Sequence, residues 1–117
     1  MGVTNKTRNT AVSICPIAKV AELLGDTWIL LIIRDLAEKP RRFNDLASSL
    51  IGVSTRTLSA KLKKLQQHQL ITRRSFDEYP PRVEYALTPR GAELKKIIAL
   101  MRTYGEKHFM QDCQLMS

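Results

Sequence analysis

The chain has 117 residues, 44% hydrophobic and 26% charged, which fits one globular domain with an ordinary core and does not fit a disordered chain. Its two cysteines and two histidines lack the close spacing of a disulfide framework or a structural zinc site, and the longest apolar run, Trp28 to Ile33, is far short of the roughly 20 residues of a membrane span. The net charge of +8 gathers in the middle: Lys39 to Arg90 carries eleven basic residues against four acidic ones, whereas Met1 to Glu38 has four of each.

Residues 1–13 are polar and aperiodic and are expected to form a flexible arm. They show neither the apolar stretch of a secretory leader nor a myristoylation pattern, so a cytoplasmic address with no membrane partner is expected. Pro16 suits the first position of a helix, and Ile17, Val20, Ala21 and Leu24 follow at helical spacing until Gly25. Asp26 is the expected N-cap of a second helix, Thr27 to about Glu38. Its run of Trp28, Ile29, Leu30, Leu31, Ile32, Ile33 and Leu36 leaves almost no polar face and belongs at the centre of the fold. Lys39 and Pro40 end it. Asn44 is expected to cap a short third helix through Leu50, and Gly52 to supply the turn that follows. Ser54 caps the fourth helix, to about His68. At roughly 100° per residue, Leu58, Leu62 and Leu65 form one stripe while Arg56, Ala60, Lys63 and Gln67 line the opposite face. Two helices joined by a tight turn, the second basic on its outer side, make residues 44–67 a helix-turn-helix.

Leu70 to Phe76 and Val83 to Leu87 are strand-like runs separated by a segment with two prolines, which makes residues 70–87 a hairpin, the wing. Val83, Tyr85 and Leu87 alternate with Glu84 and Ala86, so one face is buried. Thr88 and Pro89 restart a helix as N-cap and first residue, carrying Ile97, Ile98, Met101, Tyr104 and His108 as an apolar stripe. The expected fold is one mainly α domain with a small β-hairpin wing, an α+β winged helix-turn-helix over residues 1–117. A cationic middle between nearly neutral ends suggests a polyanion-binding module between segments with another task; a basic surface without a specific partner is the plainer alternative.

Five segments carry a resemblance. They are CP at Cys15 and Pro16, GDTWILLIIRDL from Gly25 to Leu36, PRRFNDL from Pro40 to Leu46, VSTRTLSAKLKKL from Val53 to Leu65, and YPPRVEYALTPRG from Tyr79 to Gly91. In order and without gaps, the chain resembles the HxlR-type winged-helix transcriptional regulators of bacteria. The resemblance implies a homodimer that pairs its first and last helices, residues 14–25 and 89–112, and a pseudo-palindromic double-stranded DNA operator read by two recognition helices.

Arg56, two residues after the Ser54 cap, is the candidate base reader, because a guanidinium in the major groove takes both acceptors of a guanine. Ser54, Thr55 and Ser59 flank it and Ala60 permits close approach. Lys61, Lys63 and Lys64 read as phosphate contacts. By its likeness to the family's hairpin tip, Arg82 is the wing's candidate, aided by Arg73 or Arg74, with ion pairs to Asp77, Glu78 or Glu84 as the alternative. Arg41 and Arg42 are further candidates for gripping the DNA backbone. Cys15 precedes a helix start, where the positive end of the dipole favours an anion, and several relatives sense oxidants or electrophiles at this place. It is therefore a candidate sensor, with a buried, inert thiol as the alternative. Trp28 and Tyr104 read as packing residues, a small aromatic effector being the alternative. With no nucleophile elbow, phosphate loop, metal-ligand cluster or cofactor motif, no enzyme is expected. An aromatic platform for single-stranded RNA is missing, and a winged helix given over to protein contacts would lose the basic face that Arg56, Lys63 and Lys64 keep.

Overall fold

The computed structural model of the chain describes residues 15–110, so the arm expected over residues 1–13, and Cys113, lie outside the described residues. Helix α1, Pro16–Leu24, starts where Cys15 turns from extended backbone and its Sγ accepts the Ala18 amide at 3.5 Å. Helix α2, Thr27–Glu38, starts at Asp26, whose Oδ1 accepts the Ile29 amide at 3.1 Å. Ile29, Ile32 and Ile33 have no exposed surface, and they pack with Leu36, Leu46, Leu50, Leu58, Leu62 and Leu65. The central place expected of α2 is the one it takes. Asp35, on the same helix, is also buried and lies 2.9 Å from the Arg34 guanidinium.

Two features near residue 42 depart from expectation. Arg41 and Arg42 form a short strand, β1, and helix α3, Phe43–Ser49, follows directly, so Arg42 rather than Asn44 is the cap. The reason is local: the Arg42 amide donates to the Asp45 carboxylate at 3.0 Å, which starts the helix early. Helix α4, Thr55–Gln67, is capped by Ser54, whose Oγ accepts the Thr57 amide at 3.0 Å. Gly52, with φ of 90°, makes the turn between α3 and α4 in a conformation that costs other residues energy. At its far end α4 stops with Gln69 at φ of 60°, the Leu70 amide reaching back to the Leu65 carbonyl at 3.0 Å. This is the Schellman closure, with glutamine where glycine is usual.

Strands β2, Ile71–Phe76, and β3, Arg82–Leu87, form the expected antiparallel hairpin. Because β1 also pairs with β3, the wing is a three-stranded sheet in the order β1-β3-β2 rather than a hairpin alone. The helix expected to run on from Pro89 is divided into α5, Pro89–Ala92, and α6, Lys95–His108. Glu93 and Leu94 keep right-handed helical dihedrals, and the Leu94 amide bonds to the Gly91 carbonyl at 3.0 Å, so the division is a tightened turn and not a loop. Of the α6 stripe only Ile98 is buried; Met101 and Tyr104 face outward, and Tyr104 lies against His108 and Phe109 instead of the core.

Candidate nucleic-acid interface

The leucine stripe of α4 is sealed, with Leu58, Leu62 and Leu65 at most 1% exposed, while Thr55, Arg56, Ser59 and Ala60 are exposed on the outer side and Lys63 joins them there. Neither Arg56 nor Lys63 is within ion-pair distance of a carboxylate among the described residues. Two cations about two turns apart thus share one open helical face.

Strand register divides the wing arginines. Arg73 pairs with Tyr85 and Arg74 with Glu84, and directly opposed residues share a face of the sheet. Arg73 therefore lies on the side of Tyr85, and the two border an open groove with Ser59, Lys63, Gln66 and Gln67 of α4. Arg74 lies on the other side, its guanidinium 5.1 Å from the centre of the Phe76 ring. The candidate surface is consequently the outer face of α4 with Arg73 alongside it. Gln66 is an addition to the residues expected there, and its signal was spacing: it follows Ser59 and Lys63 at seven and three residues.

Several other residues expected to touch DNA are engaged within the chain, and others are not. Lys61 Nζ lies 2.5 Å from Asp26 Oδ2, and both side chains are about three-quarters covered. Partial burial works to raise the Asp26 pKa, but the Lys61 hydrogen bond and charge and the Ile29 amide outweigh it, holding the carboxyl below its ordinary value. Lys64, half-buried, borders a groove together with Lys19, His68 and Arg90, between α1 and the end of α4. Arg82 stacks 4.1 Å above the Phe76 ring, with Glu78 at 3.5 Å and Glu84 at 3.8 Å, two of the three carboxylates expected as its alternative partners. Arg41 donates to the Asp35 carbonyl at 3.2 Å and lies 3.3 Å from Glu38. Arg42 and Arg74 remain exposed. The Ser54 hydroxyl is committed to Thr57, accepting from its amide and donating to its Oγ1, both at 3.0 Å. Cys15 is partly covered and forms no disulfide among the described residues.

Among the described residues no three His, Cys, Asp or Glu side chains are grouped to hold a metal ion, and no helix is long and apolar enough to cross a membrane.

Known proteins share this sequence pattern and fold. The family described as HxlR-like helix-turn-helix matches residues 23–113. The helix-turn-helix-type transcriptional regulator sll1512 of Synechocystis sp. is 39% identical over 107 residues, which are 89% of this chain and 79% of that protein. A solved structure from Porphyromonas gingivalis W83, described as a transcriptional regulator of the MarR family, superposes with a TM-score of 0.78 at 33% identity, over 82% of this chain and 94% of that one. The redox regulator HypR in its oxidised form superposes with a TM-score of 0.76 at 26% identity, over 80% of this chain and 97% of that one.

Proposed function

Since the chain belongs to the HxlR-like helix-turn-helix family, we propose that it is a transcriptional regulator that binds double-stranded DNA as a homodimer, with α4 entering the major groove. The observation that carries this reading is the outer face of α4, where Arg56 and Lys63 stand clear of every described carboxylate, opposite a fully buried leucine stripe. Arg56 reads a base, Thr55 and Ser59 support it, and Lys63 and Arg73 contact phosphates. The dimer is formed through α1 and α6, whose large apolar side chains lie open in the single chain: Ile17 is 81% exposed, Leu100 72% and Tyr104 60%. Fluorescence anisotropy with labelled duplex DNA at low and moderate salt, beside an RNA duplex, tests the reading. Binding of DNA that weakens steeply with salt is the expected result; absent or salt-insensitive binding defeats it.

The thiol of Cys15, at the start of a helix in the proposed dimer region, favours a second element: control of DNA binding by oxidants or electrophiles. The likeness to the redox regulator HypR supports it. Diamide treatment then changes the DNA affinity of the unsubstituted protein and leaves Cys15→Ser unaffected. An equal response in both proteins removes Cys15 from this role.

A further inference from the structure

Asp26 joins two parts of the molecule that DNA recognition must hold in register. Its Oδ1 caps α2, the most deeply buried helix, and its Oδ2 accepts a hydrogen bond from the Lys61 ammonium on α4. Side-chain exposures of 24% for Asp26 and 27% for Lys61 shield this pair from salt better than an open surface pair. Lys61 lies at the flank of α4, directly after Ala60 and two residues after Ser59 on the outer face. The carboxylate itself is a fixed point, because α2 cannot shift without disturbing the packing of Ile29, Ile32 and Ile33.

The leucine stripe, fully buried, fixes the depth of α4 and opposes large rotations by close packing, but apolar contact supplies no directional bond to set the fine rotation about the helix axis. An ion pair at the flank does supply one. At the outer radius of a helix, about 5–6 Å, a turn of about 10° carries a side chain through about 1 Å. That is about twice the 0.5 Å within which a recognition site has to be held. We propose that Asp26, acting through Lys61, is a positioning residue for DNA recognition: it sets the rotation of α4 at which Arg56 meets its base, and Lys61 is a strut rather than a phosphate clamp. The proposal rests on the DNA-binding reading above.

The test uses the full chain and a duplex recovered by selection from a random pool, with a scrambled duplex as control, each titrated at several salt concentrations. Asp26→Asn keeps an acceptor for the Ile29 amide and removes the charge; Lys61→Gln removes the other partner; Lys61→Arg restores it; Lys63→Gln is the comparison for a phosphate clamp. Asp26→Asn and Lys61→Gln are each expected to lower the selected-to-scrambled affinity ratio about tenfold, the equivalent of about 1.4 kcal/mol, with the salt slope unchanged and Lys61→Arg close to the unsubstituted protein. Lys63→Gln is expected to make the slope shallower by about 0.9 for each phosphate it no longer neutralises and to keep the ratio. A slope in Lys61→Gln as shallow as that of Lys63→Gln makes Lys61 a clamp and overturns the proposal. So does an unchanged ratio in both Asp26→Asn and Lys61→Gln. Failure of the unsubstituted protein to bind duplex DNA in a salt-dependent way overturns the DNA-binding reading itself, and the proposal with it.

Discussion

Arg56 and Lys63 share the outer face of α4, yet the two substitutions have different expected outcomes. Arg56→Ala is predicted to cost about 1–3 kcal/mol at one base position per half-site, the worth of a bidentate contact. Lys63→Ala is predicted to weaken all duplexes alike. Affinities across a panel of operators altered one base at a time distinguish the two. Asp26 gives a pH test. Its folded pKa lies below the ordinary value of 3.8, so its contribution is fully present above that value and is lost as pH falls through the folded pKa. In urea unfolding, the stability difference between the unsubstituted protein and Asp26→Asn should therefore be constant near neutrality and shrink in strong acid. The orientation of Arg56 was legible in the sequence because helical phase alone decides it. The engagement of Lys61 was not, since its partner is 35 residues away in the chain, and neither was the stacking of Arg82 on Phe76, which depends on strand register.

Most helix starts were legible, because each is written in one or two residues: Cys15 and Pro16, Asp26, Ser54, and Thr88 with Pro89. Strand β1 was not. Two arginines show no apolar alternation, and only pairing with β3 makes them a strand. The same pairing ends at Arg42, whose amide donates to the Asp45 carboxylate at the start of α3. The junction of α4, the wing and α5 is closed by backbone hydrogen bonds invisible in composition: the Leu70 carbonyl accepts the Thr88 amide at 3.0 Å, and the Gln69 carbonyl accepts the Thr88 hydroxyl at 2.8 Å. A Cβ at Gly91 would lie 2.0 Å from that Leu70 oxygen. Gly91→Ala is predicted to destabilise the fold by about 1–3 kcal/mol or more. Gln69→Gly, by contrast, is predicted to stabilise it by up to about 1 kcal/mol, through relief of the left-handed conformation. Denaturant midpoints of the two variants should move in opposite directions.

At the scale of the whole molecule, charge and apolar surface are separated. Excess positive charge lies between Lys39 and Arg90, whereas Ile17, Val20, Leu100, Met101 and Tyr104 lie exposed on the outer helices. A single chain leaves that apolar surface in water at about 25 cal/mol for each Å², and the proposed pairing of two chains would remove it. Leu100→Glu is predicted to shift the proposed dimer toward monomer in sedimentation velocity and to weaken operator binding by about tenfold or more, since two half-sites no longer act together. The central claim is that the basic face of α4 holds duplex DNA, and the salt dependence of binding tests it most directly. The account predicts that log affinity falls linearly with log salt, with a slope of about −0.9 for each phosphate neutralised by the dimer, and that Lys63→Gln makes the slope shallower. A slope near zero, or one that Lys63→Gln leaves unchanged, would contradict it.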